Sequence, residues 1–361
     1  MKDVLKEEEI VGRKLRSLYG QYGYLPYKMS KFEEYDLYAR NKEFLDGARI
    51  VTFNDTDGKL LALKPDITLS IVKNDADGGA KRKVYYNENV YRTQKSTGAF
   101  KELCQTGLEC IGEIDLYDEY EALYLATASL ATISQNFVLD VSHRGVLSSI
   151  IEEVKLDKAF AKQIMRLLAE KNTHGLVDFC KQEGVNADKF LALVGAYGTP
   201  EIALEKIEKL CESEASKSAF DNLKALCKLL AKTEYKDHIR LDFSVVGSGN
   251  YYDGVVFSGF IDGIGEAVLS GGRYDRLLSR MGKKSGAIGF AVYLDLLENL
   301  HKTQSAKDVD VLVLYDEATP MESLINQVKM LIAEGNSVSV QKQKGGIRCQ
   351  QVLDLTGGKT C

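Results

Sequence analysis

Residues 239–257, IRLDFSVVGSGNYYDGVVF, carry the reading that decides the fold. Ile239, Leu241, Phe243 and Val245 alternate with Arg240, Asp242 and Ser244, and the alternation breaks at Gly247-Ser248-Gly249. A strand therefore runs into a loop at this point. Tyr251 and Tyr252 follow, offering phenol edges and hydroxyls to a small polar ligand, while Gly254 lets the backbone come close. Taken alone, the same pattern also suits an ordinary hairpin with aromatic packing.

Two later stretches argue for the ligand pocket. Residues 267–278, AVLSGGRYDRLL, read as an apolar strand ending at Gly271-Gly272, with a helix beginning near Tyr274. Residues 286–297, GAIGFAVYLDLL, read as a strand around 287–290 leading into an amphipathic helix through Leu300. Strand, tyrosine pair, strand, GGRYD, strand and helix in this order resemble the C-terminal half of the histidyl-tRNA synthetase catalytic fold.

Composition sets outer limits. A chain of 361 residues with 45% hydrophobic content can bury a sizeable core, and its length suggests two or three units. The net charge of -5, from 52 acidic and 47 basic residues, gives no global attraction to a polyanion. Binding of tRNA would need a local basic face, and the longest basic run, Lys81-Arg82-Lys83, is too short to supply one. Cys104, Cys110, Cys180, Cys211, Cys227, Cys349 and Cys361 form an odd set with no CxxC pair, as expected of reduced cytoplasmic thiols. Cys104 and Cys110 share a strand face but lie too far apart for one metal, and no metal or cofactor is expected. The N-terminus is charged and no apolar run reaches the length of a membrane span, so neither secretion nor membrane insertion is expected.

From the start of the chain, Leu5, Ile10, Val11, Leu15 and Leu18 predict an amphipathic helix closed by Gly20 and Gly23. Residues 50–53 and 60–63, joined through Asp57-Gly58, predict a hairpin. It delivers Lys64-Pro65-Asp66-Ile67-Thr68, in which Asp66 suits a helix cap. Residues 84–92 and 102–112 read as two strands joined by a polar loop; Gln105 and Glu109, four apart on the second, share one face and can converge on a small cation. Residues 118–132 predict a helix and 137–141 a short strand. From 145 to 236 the apolar period becomes three and four, predicting an insertion of four to six helices in which His174 and Glu183 are solvated surface groups. A polar linker at 302–307 precedes a strand at 309–314, a helix at 321–331, a strand at 338–340 and at most one more strand.

The resemblance implies further roles. Residues 22–38 are similar to the class II synthetase motif that packs against its mate in a two-fold dimer, which implies self-dimerisation through the segment from 25 to 37. Asp66 and Thr68 match the acid and hydroxyl that hold the histidine amino group, with a carboxylate one methylene shorter than the family's glutamate. Gln105 and Glu109 match amino-group and side-chain contacts, Tyr252 and Tyr274 match the imidazole end, and Arg92 matches the arginine on the ATP α-phosphate. Elsewhere the ATP side departs from the family: Gly247 and Leu296 stand where two arginines are expected, Ala99 replaces a third, Cys104 replaces a histidine, and the loop between the two long strands is one residue shorter. Histidine contacts are thus kept while ATP contacts are lost.

This asymmetry resembles the ATP phosphoribosyltransferase regulatory subunits, paralogues of the histidyl synthetases, over roughly residues 1–300. It implies an α+β fold of the class II aminoacyl-tRNA synthetase type: an antiparallel sheet flanked by helices across 1–302, with the helical insertion at 145–236. A short α/β unit at 307–361 resembles a truncated anticodon-binding domain. It further implies a non-catalytic cytoplasmic subunit for the first step of histidine biosynthesis and its feedback control. Its partner would be the short-form catalytic subunit in a hetero-octamer and its allosteric effector L-histidine, with no tRNA and no membrane. The histidine carboxylate would be met by Arg92 or by backbone amides near Gly271-Gly272. An active histidyl-tRNA synthetase, a synthetase-like enzyme for another substrate and a free-standing histidine sensor remain as alternatives.

Overall fold

The computed structural model describes residues 6–45, 49–75, 80–93, 98–154, 157–247, 251–299 and 307–358. Contacts divide the chain into a large unit, residues 7–297, and a small one comprising 298–361 with residues 1–6.

The large unit begins with α1 (Glu7–Gln21), whose Val11, Leu15 and Tyr19 form a buried stripe at helical spacing. A short β1 (Leu25–Pro26) leads to β2 (Phe32–Glu34) and α2 (Tyr35–Arg40). Next come β3 (Thr52–Asn54) and β4 (Leu60–Leu63), joined by a turn in which the Asp55 carboxylate accepts the amides of Asp57 and Lys59 at 2.9 and 2.8 Å and Gly58 takes φ +80. The hairpin expected here forms, starting two residues later than the sequence suggests, and β2 adds to it in the order β2-β4-β3. After α3 (Thr68–Lys73), the long strands β5 (Arg82–Thr93) and β6 (Phe100–Gly112) pair antiparallel over their length. Of their connecting loop, residues 94–97 lie outside the described residues.

Helix α4 (Leu116–Ile133) starts with a reciprocal capping box between Asp115 and Asp118 and is mostly buried between Asp118 and Leu130, with α1 packed beside it through Tyr19 Oη and Ser129 Oγ at 3.0 Å. Strand β7 (Phe137–His143) leads into six helices: α5 (Arg144–Glu152), α6 (Lys158–Ala169), α7 (Thr173–Gln182), α8 (Asp188–Val194), α9 (Pro200–Glu208) and α10 (Glu214–Leu230). Side-chain caps by Asp157, Asn172 and Ser213 start three of them. His174 and Glu183 are exposed.

The chain returns to the sheet as β8 (Ile239–Leu241), β9 (Val255–Ile261) and β10 (Leu269–Arg273), followed by α11 (Asp275–Arg280), β11 (Gly286–Tyr293) and a 3₁₀ segment, Leu294–Asn299. The main sheet has the order β1-β5-β6-β11-β10-β9-β7-β8 and is antiparallel except at β1–β5 and β7–β8. Three local expectations change. The hairpin reading of 239–257 fails, because β8 and β9 lie on opposite sides of β7, so the tyrosines sit on a crossing loop. Strand β10 continues through Gly271-Gly272 to Arg273; the glycines serve close packing, since a Cβ on Gly271 would lie 2.3 Å from Phe290 Cβ. Strand β11 runs to Tyr293, because its pairing with β6 persists to Tyr293↔Gln105, leaving only a 3₁₀ segment where an amphipathic helix was expected; Leu300 lies outside the described residues.

In the small unit β12 (Val309–Leu314), α12 (Met321–Ala333), β13 (Val338–Gln341) and β14 (Cys349–Asp354) form a parallel sheet of order β13-β12-β14. Val311, Val313, Leu324 and Leu355 form its core. The linker expected at 302–307 lies outside the described residues apart from Lys307.

Candidate functional site

A cavity of about 440 Å³ opens on the face of the large sheet away from α1 and α4. Alternation along β6 directs Gln105 and Glu109 into it, while Cys110 turns toward Asp118 at the start of α4. Asp66, Thr68, Arg92, Tyr252 and Tyr274 line the same cavity, as does Gly247. Every residue assigned to the site from the sequence is therefore brought together within one pocket.

Glu109 is the centre of its chemistry. The side chain is 2% exposed; Thr68 Oγ1 donates to Oε1 at 2.8 Å and the Tyr274 hydroxyl donates to Oε2. Burial pushes its pKa up to about 8, against the opposing effect of those two donors and with help from nearby Asp66. Glu109 is accordingly mostly protonated at neutral pH. Desolvation, reinforced by Glu109 and Asp66, also holds the Tyr252 hydroxyl well above its ordinary pKa, keeping it neutral and able to donate.

Asp66 performs the capping role: its Oδ1 accepts the Leu69 amide at 2.8 Å at the start of α3, and Oδ2 faces Arg92 at 3.6 Å. Burial raises its pKa while Arg92 opposes the rise. Arg92 also donates through Nε to the Pro65 carbonyl at 2.6 Å, so the guanidinium is drawn to the loop bearing Asp66. Asp66 faces Arg92, so the protonated Glu109 is the carboxyl group that a cationic ligand would draw into its charged form.

Tyr251 is buried against Phe44 and Tyr274, with ring centroids 6.2 and 5.4 Å away, and Tyr252 meets Tyr251 edge-on at 4.8 Å; both line the cavity. Gly247 has φ +69, and a Cβ there would lie 2.5 Å from Tyr252 Cδ2. Residues 248–250 of this loop lie outside the described residues. The backbone amides near Gly271-Gly272 cannot meet a ligand carboxylate as expected, since β10 is paired on both sides, with β9 and β11.

The sequence reading missed Tyr86, Ser270, Gly289 and Tyr293, which also line the cavity. Ser270 Oγ and Tyr293 Oη are 2.5 Å apart. A Cβ on Gly289 would lie 1.7 Å from Glu109 Oε2, so this glycine makes the space in which the carboxyl sits. Its signal was present as a glycine inside an otherwise apolar strand, which marks close approach.

The sheet and its cavity define a histidyl-tRNA synthetase fold, and a family profile described as Histidyl-tRNA synthetase matches residues 2–297. A relative described as ATP phosphoribosyltransferase regulatory subunit, from Caldanaerobacter subterraneus subsp. tengcongensis, is 31% identical, covering 98% of this chain and 95% of its own. The crystal structure of an ATP phosphoribosyltransferase regulatory subunit/histidyl-tRNA synthetase from Bacillus halodurans superposes with a TM-score of 0.75 at 24% identity, covering 99% and 97% of the two chains. A chain of the ATP phosphoribosyl transferase (HisG:HisZ) complex from Thermotoga maritima shares the fold at a TM-score of 0.64 and 16% identity, over 81% of this chain and 98% of that one. The chain belongs to the ATP phosphoribosyltransferase regulatory subunit family, on the histidyl-tRNA synthetase scaffold.

Among the described residues no group of three or more His, Cys, Asp and Glu side chains is placed to hold a metal ion. No described helix is long and apolar enough to cross a membrane.

Proposed function

We propose that this chain is a non-catalytic regulatory subunit of ATP phosphoribosyltransferase, acting on a separate short catalytic subunit in the first step of histidine biosynthesis, with L-histidine as its feedback effector. The observation that carries the reading is the asymmetry of the cavity. The residues matched to the family's histidine contacts all line the cavity, whereas Gly247, also in its lining, and Leu296, outside it, offer no guanidinium at the positions matched to the synthetases' ATP-side arginines. Loss of one preorganised donor at a reacting phosphate costs about 3–4 kcal/mol, so loss of two removes adenylation from the useful range.

In the proposed complex the histidine ammonium meets Asp66, Thr68 and Gln105. The imidazole meets Glu109, Tyr252 and Tyr274, and Arg92 is the available partner for the carboxylate. The C-terminal unit, 307–361, is a truncated counterpart of an anticodon-binding domain, and no tRNA is bound. Residues 1–302 supply a cytoplasmic hetero-octamer with a self-dimer through the segment from 25 to 37.

Mixing the chain with a purified short-form phosphoribosyltransferase and assaying ATP plus phosphoribosyl pyrophosphate tests the reading. We expect activity to depend on this chain and to fall when histidine is added. Full activity of the catalytic chain alone, or histidine-dependent ATP–pyrophosphate exchange by this chain alone, would sink it.

A further inference from the structure

A charge cluster around the buried Glu119, with Arg273 and Asp275 partly exposed, lies behind the cavity. Arg273, the last residue of β10, reaches Glu119 of α4, while the next residue, Tyr274, lines the cavity. Arg273 Nη1 donates to Glu119 Oε1 at 3.0 Å, while its Nε and Nη2 donate to Asp275 Oδ2 at 2.9 and 2.7 Å. Glu119 is 1% exposed, and its other oxygen accepts Asn222 Nδ2 of α10 at 2.8 Å.

The clasp continues into the backbone around Tyr274. Asp275 Oδ1 accepts the Ala287 amide at 3.0 Å, and the Tyr274 amide donates to the Ala287 carbonyl at 2.8 Å. Asp253 accepts the amides of Asp275 and Arg276 at 3.2 and 2.6 Å. Two glycines leave room for it: a Cβ on Gly254 would lie 2.9 Å from Arg273 Cβ, and one on Gly286 would lie 2.6 Å from Asp275 Oδ1.

We propose that Glu119 and Arg273 are positioning residues that hold Tyr274 against Glu109 and tie that geometry to α10 through Asn222. A buried ion pair is a poor source of net stability, because desolvation offsets attraction; a planar guanidinium fixed between two carboxylates does set direction. The direction it sets here is that of the β10–α11 junction, the only backbone between Arg273 and Asp275 being Tyr274 itself. The role in histidine recognition rests on the cavity reading given above, but the position of Tyr274 can be read without ligand.

The test uses the full chain with carboxyl-¹³C glutamate, following the Glu109 resonance, assigned by its loss in Glu109→Gln, through a pH titration. Tyr274→Phe removes a donor to the carboxylate and raises the Glu109 midpoint by about one pH unit. Glu119→Gln is expected to raise it in the same direction, Arg273→Lys likewise, and the double variant Glu119→Gln/Tyr274→Phe no further than Tyr274→Phe alone. A midpoint left at the wild-type value by Tyr274→Phe, or by both Glu119→Gln and Arg273→Lys, overturns the proposal, as does full additivity in the double variant. Histidine calorimetry on the same proteins separates the two readings. If the wild type binds, the variants that shift the midpoint should bind about tenfold more weakly. If it does not bind, the cavity reading falls while the midpoint shifts still decide the role of Glu119 and Arg273.

Discussion

At the scale of single residues, the proposed histidine site and a pH-dependent part of the stability both turn on Glu109. With Glu109 near 8 and a free imidazole near about 6.5, the bound pair holds one proton between them wherever it resides. Below the lower value the separated partners carry a surplus proton that must be shed, and above the upper value one must be gained. Histidine affinity should therefore form a plateau between about pH 6.5 and 8, falling by up to about tenfold per unit outside it. Calorimetry across pH checks this, and Glu109→Gln should weaken binding on the plateau by roughly 1.5–3 kcal/mol. The same group has a stability signature without ligand. Its pKa rises from 4.5 to about 8 on folding, so the stability held by the neutral form is full at low pH and is lost as pH climbs through that window. Denaturant midpoints of the wild type should drop relative to Glu109→Gln between pH 5 and pH 8; parallel profiles would contradict the burial argument. Gly247→Arg, by contrast, should restore no ATP–pyrophosphate exchange, because the left-handed backbone and the Tyr252 ring leave no room for a side chain.

At the scale of elements, the site depends on glycines inside strands rather than on turns. Gly271 lies between Phe257 and Phe290, and a Cβ there would also meet the Gly289 carbonyl at 2.4 Å. Gly271→Ala should therefore cost about 1–3 kcal/mol by overpacking, measurable by urea denaturation, while Gly282→Ala, at an open position with φ +79, should lose stability only through backbone strain. A Gly271→Ala protein as stable as the wild type would show that β10 and β11 can part without loss. Such glycines explain why alternation alone placed the end of β10 too early: the pair looks like punctuation in the sequence and works as packing in the sheet.

For the whole molecule, the proposed self-dimer draws on the segment from β1 to α2. Leu25 is 66% exposed on a strand at the edge of the main sheet, and Phe32 and Phe53 meet edge-on at 5.6 Å while both remain exposed. An edge strand with exposed apolar side chains is suited to an isologous contact. Sedimentation at micromolar concentration should give a dimer that Leu25→Asp weakens, without altering the histidine affinity of the cavity. A wild-type monomer would remove the dimer from the proposal.

The order of strands and helices, the shared face of Gln105 and Glu109, the cap at Asp66 and the six-helix segment were legible in the sequence, because periodicity and capping are local properties of the chain. Less was legible where long-range contacts compete with local pattern. The end of β11 was decided by its pairing with β6, the crossing path of β8 and β9 by their places on either side of β7, and the neutrality of Glu109 by desolvation, against the donors Thr68 and Tyr274. Desolvation and close backbone approach arise only when distant segments enclose a common space. Asp66, Thr68, Arg92, Gln105, Glu109, Tyr252 and Tyr274 could therefore be named from the sequence and its family resemblance, whereas Tyr86, Ser270, Gly289 and Tyr293, the protonation state of Glu109 and the clasp behind Tyr274 belong to the tertiary structure alone.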